Sequence, residues 1–158
     1  MARRIDFYDD RGAPAANSLV PSVNVVVTNS SGEVLLIRRS DNQNWAMPGG
    51  AIDLGESMVQ AAVRETKEET GVDCSVTGLV GIYTDPKHVI LYTSNGEVRQ
   101  EFPSLLAARA TGGAPTRSDE SSEVRWVSRD DLGGYSMDRS MKLRVGHFLE
   151  GRGRPYLG

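Results

Sequence analysis

The chain has 158 residues, of which 39% are hydrophobic and 25% charged, with a formal net charge of −3. That is enough for one soluble domain with a real core, and the slightly acidic balance gives no footprint for duplex nucleic acid. The only basic clusters are Arg3-Arg4, Arg38-Arg39 and Arg152/Arg154. A single cysteine, Cys74, excludes an intramolecular disulfide and a cysteine-built zinc site, and neither a secretory segment nor a membrane-length apolar run is present. A reducing cytoplasm is the expected setting, with no membrane partner.

Residues 1–21 are polar and punctuated by Gly12, Pro14 and Pro21, and are expected to form a loosely ordered arm or a short edge strand, followed by a single domain over 22–158. Residues 22–28 read as a strand, 29–32 as a turn and 33–39 as its hairpin partner. Residues 40–44 form a polar loop leading to Trp45 and the glycine pair Gly49-Gly50. Beyond Thr70, residues 72–83 alternate as a strand, with Gly78 and Gly81 as candidate bulges. Residues 87–93 follow, and Asn95-Gly96 is a strong hairpin signal. Residues 98–111 read as one long strand interrupted at Pro103, which belongs at an edge or bulge. Residues 112–122 form a Gly, Pro and Ser-rich loop long enough to be functional. A short strand over 123–127, a helical turn over 129–132 and an amphipathic helix over 137–149 complete the chain.

The informative stretch lies between the glycines and the third strand: PGGAIDLGESMVQAAVRETKEETGV, residues 48–72. Ser57 is a plausible N-cap with Gln60 three residues on, and Gly71 a plausible stop, so a helix is expected from Met58 to Thr70. At roughly 100° per residue, Glu65, Glu68 and Glu69 share one face, which continues the inward stripe of Met58, Ala61 and Ala62. Gln60, Arg64 and Lys67 point to the other side. Like charges one turn apart repel, and Arg64 alone, pairing with Glu68, cannot neutralise three carboxylates and Glu56. A hard divalent cation bound by oxygen ligands fits the remaining charge.

The spacing of Gly50, Glu56, Arg64-Glu65, Glu68-Glu69 and Gly71 resembles the Nudix box, and Trp45-Ala46-Met47-Pro48-Gly49-Gly50 resembles the usual approach to it. Thr66 departs from the aliphatic residue the family places after Arg-Glu. Trp126-Val127 followed by Asp130-Asp131-Leu132 resembles the family's last strand and turn. The resemblance implies an α/β fold, the Nudix-type α/β/α sandwich, with a mixed β-sheet between the box helix and the terminal helix.

It also implies an activity: Mg²⁺-dependent hydrolysis, with Mn²⁺ as a possible substitute, of a pyrophosphate bond in a nucleoside diphosphate linked to another moiety, such as ADP-ribose or a nucleotide sugar. The alternatives are a MutT-like (d)NTP pyrophosphatase and, from another class, a non-catalytic nucleotide sensor. The family's metal shell falls on the Gly50 carbonyl and on Glu65, Glu68 and Glu69, with Glu65 also a candidate to orient or deprotonate water. Arg64 would hold the glutamates in register, and Glu56 would brace the loop and is counted, with Arg38 and Trp45, among the substrate-binding residues. A catalytic glutamate outside the box is sought at Glu120 first, then at Glu123 and Glu101. Arg38 or Arg39 could contact a phosphate, Arg38 being taken first. Trp45, Tyr83, His88 and Tyr92 are candidates to stack on a base, Trp45 foremost. Pro86 lies about where ADP-ribose-hydrolysing members carry a marker proline, but a turn explains it equally well. His88 and His147 fit no nucleophilic triad, and no P-loop or dinucleotide fingerprint occurs. The substrate would be a nucleotide-type small molecule, and a homodimer with the 1–21 arm exchanged is compatible with the pattern.

Overall fold

A computed structural model describes residues 3–158, and within them the chain alternates strands around two helices. Strands β1 (Arg4–Tyr8), β2 (Ser18–Leu19), β3 (Ser22–Thr28), β4 (Val34–Arg39), β5 (Trp45–Ala46) and β6 (Gly49–Ala51) precede helix α1 (Met58–Thr70). Strands β7 (Val72–Ile82), β8 (His88–Tyr92), β9 (Glu97–Gln100), β10 (Pro103–Gly113) and β11 (Ser121–Val127) follow. A 3₁₀ turn (Arg129–Gly134), helix α2 (Arg139–Glu150) and β12 (Tyr156–Leu157) close the chain.

The larger sheet runs β11-β4-β3-β10-β7-β12, with β5 on β4 and β6 on β3. It is mixed, since β3 and β10 are parallel and β10 and β7 antiparallel. Residues 25–27 and 34–37 are continuous buried runs because the sheet is covered on both faces. One core packs Val25, Val27, Leu35 and Leu106 against Ala61 and Ala62 of α1; the other packs Val26, Leu36, Ile37 and Leu105 against Met141 and Val145 of α2. Leu35 and Leu36 are fully buried, each contributing about 1.5–3 kcal/mol relative to exposure. The α/β/α sandwich is therefore formed. Met58, expected in the inward stripe, is instead 38% exposed, and Thr66 takes a buried place in that helix.

A second sheet, β1-β8-β9-β2, stands beside the first. Two of its strands come from the stretch expected as an arm: β1 pairs along its whole length with β8, and β2 pairs with β9. Met1 and Ala2 lie outside the described residues. The expected long strand over 98–111 is two strands in different sheets, and the chain crosses between them at Glu101-Phe102. Pro103 is consequently the first residue of a central strand, where its missing N–H costs least, rather than an edge or bulge residue. The irregularities of β7 fall at Thr77 and Val80, each just before one of the glycines expected to mark them.

Candidate active site

The site is assembled on the middle and last turns of α1 and the glycine loop facing them. The Ser57 hydroxyl accepts the Gln60 N–H and the Gln60 side chain accepts the Ser57 N–H, so the capping box fixes where the helix begins. Gly71 ends it in the left-handed conformation (φ 74°), which a side chain would disfavour.

Arg64 ties loop to helix. Its Nε donates to Glu56 Oε1 at 2.6 Å and its Nη2 to Glu56 Oε2 at 2.9 Å and to the Ala51 carbonyl at 3.2 Å. Its Nη1 donates to Glu65 Oε1 at 2.8 Å and to Glu68 Oε2 at 3.2 Å. Glu56 also accepts the Asp53 N–H at 3.0 Å, and these bonds hold its carboxyl down at about 2. Its two oxygens are thus spent on bracing the loop, not turned to the cleft as a substrate ligand.

Glu69 is the unusual member. It is 5% exposed, it lies beside Gly49, and its Oε2 is buried with no partner among the described residues. Burial, followed by the charges of Glu65 and Glu120, pushes its carboxyl up to about 8. Burial also raises Glu65, against the pull of Arg64. Glu68, at the rim, has a largely exposed side chain. Gly50 lies so close to Glu65 that a Cβ there would come within 2.5 Å of Oε1. The orphaned oxygen of Glu69, an excess of carboxylates over one guanidinium and a glycine that yields its space are the chemistry of a divalent-cation site. No three acidic or imidazole side chains among the described residues already converge as a ligand set. Arg64 draws Glu65 and Glu68 to itself while Glu69 turns to Gly49.

Two adjoining cavities, about 390 and 450 Å³, share Gly49, Glu69, Asp119 and Glu120. Glu120 is brought to the box as anticipated, by the loop that leaves β10; its carbonyl accepts the Ser40 N–H at 3.0 Å. Asp119 arrives with it, a residue that sequence reasoning missed and that only its place beside Glu120 could have suggested. A narrower crevice of about 110 Å³ runs inward from Gly49 and Glu69 to Asn24, Tyr92, Glu101 and Arg144.

Several expected residues lie elsewhere. Arg38 faces away from the cleft with Trp45, its register partner, and donates to the Gln43 carbonyl at 3.4 Å. Its neighbour Arg39 lines the cleft beside Glu69 and pairs with Asp41 at 2.6 Å. Trp45 is covered by Arg125, 5.0 Å from its ring centroid, and packs edge-on against Tyr135. Glu123 pairs with Arg125 on that outer face. Glu101 is buried and bound to His88 and Arg144, which removes it as a mobile base. Tyr83 and His147 stack in the core, and of the candidate aromatics only Tyr92 reaches the crevice. Pro86 borders a separate cavity with residues 9–16.

A glutamate-rich helix packed under a glycine loop, within a mixed sheet covered by helices on both faces, defines an α/β/α sandwich with a candidate divalent-cation site. The model of the NUDIX domain matches residues 18–149, and the chain belongs to the Nudix family and is a Nudix hydrolase. It is 37% identical over 128 residues to a Bacillus subtilis (strain 168) protein provisionally named 8-oxo-dGTP diphosphatase, covering 80% of this chain and 78% of the relative. It is 40% identical over 121 residues to the ADP-ribose pyrophosphatase of Methanocaldococcus jannaschii (75% and 68% covered). It is 35% identical over 127 residues to the RNA pyrophosphohydrolase of Novosphingobium aromaticivorans (71% and 79% covered). The solved structure of a NUDIX hydrolase from Nitrosomonas europaea superposes with a TM-score of 0.69 at 22% identity, covering 90% of this chain and 77% of that one, a likeness of fold.

Proposed function

We propose that this protein hydrolyses a pyrophosphate bond in a nucleoside diphosphate derivative and requires Mg²⁺, or Mn²⁺ in its place. The observation that carries this reading is Glu69: a buried carboxylate with an unpartnered oxygen, beside Glu65 and Glu120, that lines three cavities. Glu65, Glu68, Glu69 and the Gly50 carbonyl would hold the cation, which when bound screens the phosphate oxygens and lowers the pKa of a bound water. Arg64 fixes Glu65 and Glu68 on one side of the glycine loop, so that a small rotation of each carries it to the cleft. Glu120 lines the cavity that holds Glu65, Glu68 and Glu69 and is our choice to take the proton from the attacking water at its carboxylate. Arg39, in place of Arg38, would hold the phosphate that leaves; its fork engages Asp41 and would be exchanged for phosphate oxygens of the same geometry.

The relatives are named for ADP-ribose, for RNA and, provisionally, for 8-oxo-dGTP, substrates that share a nucleotide phosphoric anhydride. A nucleotide joined through its diphosphate to a second moiety is our first reading and a MutT-like nucleoside triphosphate the second. Product analysis by chromatography, over ADP-ribose, nucleotide sugars and (d)NTPs with Mg²⁺, tests the choice. Release of a nucleoside monophosphate and a sugar phosphate from the first two supports our reading. Inorganic pyrophosphate from (d)NTPs alone replaces it with the second.

A further inference from the structure

The crevice that leads from Gly49 is lined, among others, by three residues from three elements: Asn24 of β3, Glu101 at the crossing between the sheets, and Arg144 of α2. Arg144 is 4% exposed; its Nη1 donates to Asn24 Oδ1 at 2.9 Å and its Nη2 to Glu101 Oε2 at 2.8 Å. A guanidinium has donors only, so it dictates which end of each partner it receives. Asn24 must turn its carbonyl to Arg144, which leaves Nδ2 as the free end. Glu101 Oε2 also meets His88 Nδ1 at 2.6 Å, which leaves Oε1 free. Among the described residues neither Nδ2 nor Oε1 has a hydrogen-bond partner, and neither is sealed from the crevice, whereas Arg144 Nε is sealed behind them. Asn24 stands opposite Gly49 in the β3–β6 ladder, where a Cβ would come within 2.7 Å of its Nδ2. A donor and an acceptor are thus held rigidly next to the loop that touches Glu69, and Tyr92, capped by Arg99 at 4.8 Å, forms part of the wall.

We propose that Asn24 and Glu101 are the specificity-determining residues of this crevice, reading a nucleobase edge that sets a hydrogen-bond acceptor beside an N–H donor, with Arg144 as the positioning residue behind both. The inference rests on the reading of the cleft as a nucleotide site. Asn24 Nδ2–H donates to the acceptor of the base, and the N–H of the base donates to Glu101 Oε1. The lactam edge of guanine and the N1/N6 edge of adenine both carry this pair. Benzimidazole, of similar ring shape, carries neither group on its six-membered ring.

The test is calorimetric binding of GMP, AMP and benzimidazole riboside 5′-monophosphate in EDTA, to the wild type and to Asn24→Asp. That variant keeps an oxygen facing Arg144 and the same shape, but turns the free end from donor to acceptor. The wild type is expected to bind GMP or AMP about tenfold or more tightly than the benzimidazole nucleotide, and whichever of the two shows the preference names the edge that is read. In Asn24→Asp the preference falls at least about fivefold while affinity for the benzimidazole nucleotide is retained. Arg144→Lys, which cannot hold both partners, lowers the preference likewise. A smaller preference in the wild type, which needs no variant to fold, overturns the inference, as does an unchanged preference in Asn24→Asp. Discrimination without cleavage of any diphosphate derivative contradicts the hydrolase reading alone, and cleavage without discrimination contradicts this inference alone.

Discussion

At the scale of single residues, the chemistry rests on acids that the fold makes costly. The Glu69 carboxyl is held at about 8, far above its value near 4.3 in an unfolded chain. A group raised in this way contributes stability that is complete below about pH 4.3 and lost as the pH climbs towards 8, a loss on the order of a few kcal/mol. Thermal melts in EDTA are therefore expected to show a Tm that falls between pH 4.5 and 8, and Glu69→Gln should melt higher than the wild type at pH 8 but not at pH 4.5. A wild-type Tm that rises over that interval would contradict the burial assigned to this carboxylate. Arg64 works in the opposite direction, gathering four acidic side chains and a carbonyl. Arg64→Ala is predicted to weaken Mg²⁺ activation by about 10–100-fold, the usual cost of removing a group that orients metal ligands. Arg64→Lys should recover little, because a point charge cannot serve so many partners in fixed directions. Titration of hydrolysis rate against Mg²⁺ measures both.

At the scale of elements, local signals were legible where one residue type has one physical use. Ser57, Gln60 and Gly71 mark the ends of α1 in the sequence as in the structure, because a capping oxygen, its reciprocal partner and a left-handed stop admit few other readings. The phase of β4 was not legible. Its residues 34–37 are buried on both faces, so no alternation told Arg38 from Arg39, and the outward residue was chosen for the cleft. Nor could the sequence show that 98–111 crosses between sheets at Glu101, since the crossing is decided by which neighbours β9 and β10 find. The glycine loop sets a sharper test of packing than any apolar pattern. A Cβ at Gly49 would overlap the Val23 carbonyl oxygen, whereas the nearest atoms to one at Gly50 belong to the movable carboxylate of Glu65. Gly49→Ala is accordingly expected to lower stability by several kcal/mol, and Gly50→Ala to cost less stability while displacing Glu65 from the cleft. Urea unfolding of the two variants, beside their hydrolysis rates, separates the effects.

At the scale of the molecule, the strand that precedes the matched family segment is joined to the α2 side of the core by a buried chain of charges. Asp6 on β1 meets His88 Nε2 at 2.8 Å, His88 meets Glu101, and Glu101 meets Arg144. Burial alone would lower the pKa of His88, but the bonds to Asp6 and Glu101 outweigh it and raise it. The stability due to His88 is thus complete below its unfolded value near 6.5 and is lost as the pH rises through the higher folded value, while Asp6, held low, contributes above about pH 4 and is lost in acid. The difference in unfolding free energy between the wild type and His88→Gln should therefore be largest between about pH 4 and 6.5 and shrink above it. No helix among the described residues is long and apolar enough to cross a membrane. Everything functional converges on the helix and loop around Glu69, and the central claim is that this cluster cleaves a phosphoric anhydride with a divalent cation. The most direct measurement is nucleoside monophosphate release from ADP-ribose and nucleotide sugars by the wild type and Glu69→Gln, each with Mg²⁺ and with EDTA. Release by the wild type with Mg²⁺ alone, reduced at least about 100-fold in Glu69→Gln, is the predicted result. Release that survives EDTA, or that is undiminished in Glu69→Gln, would contradict it.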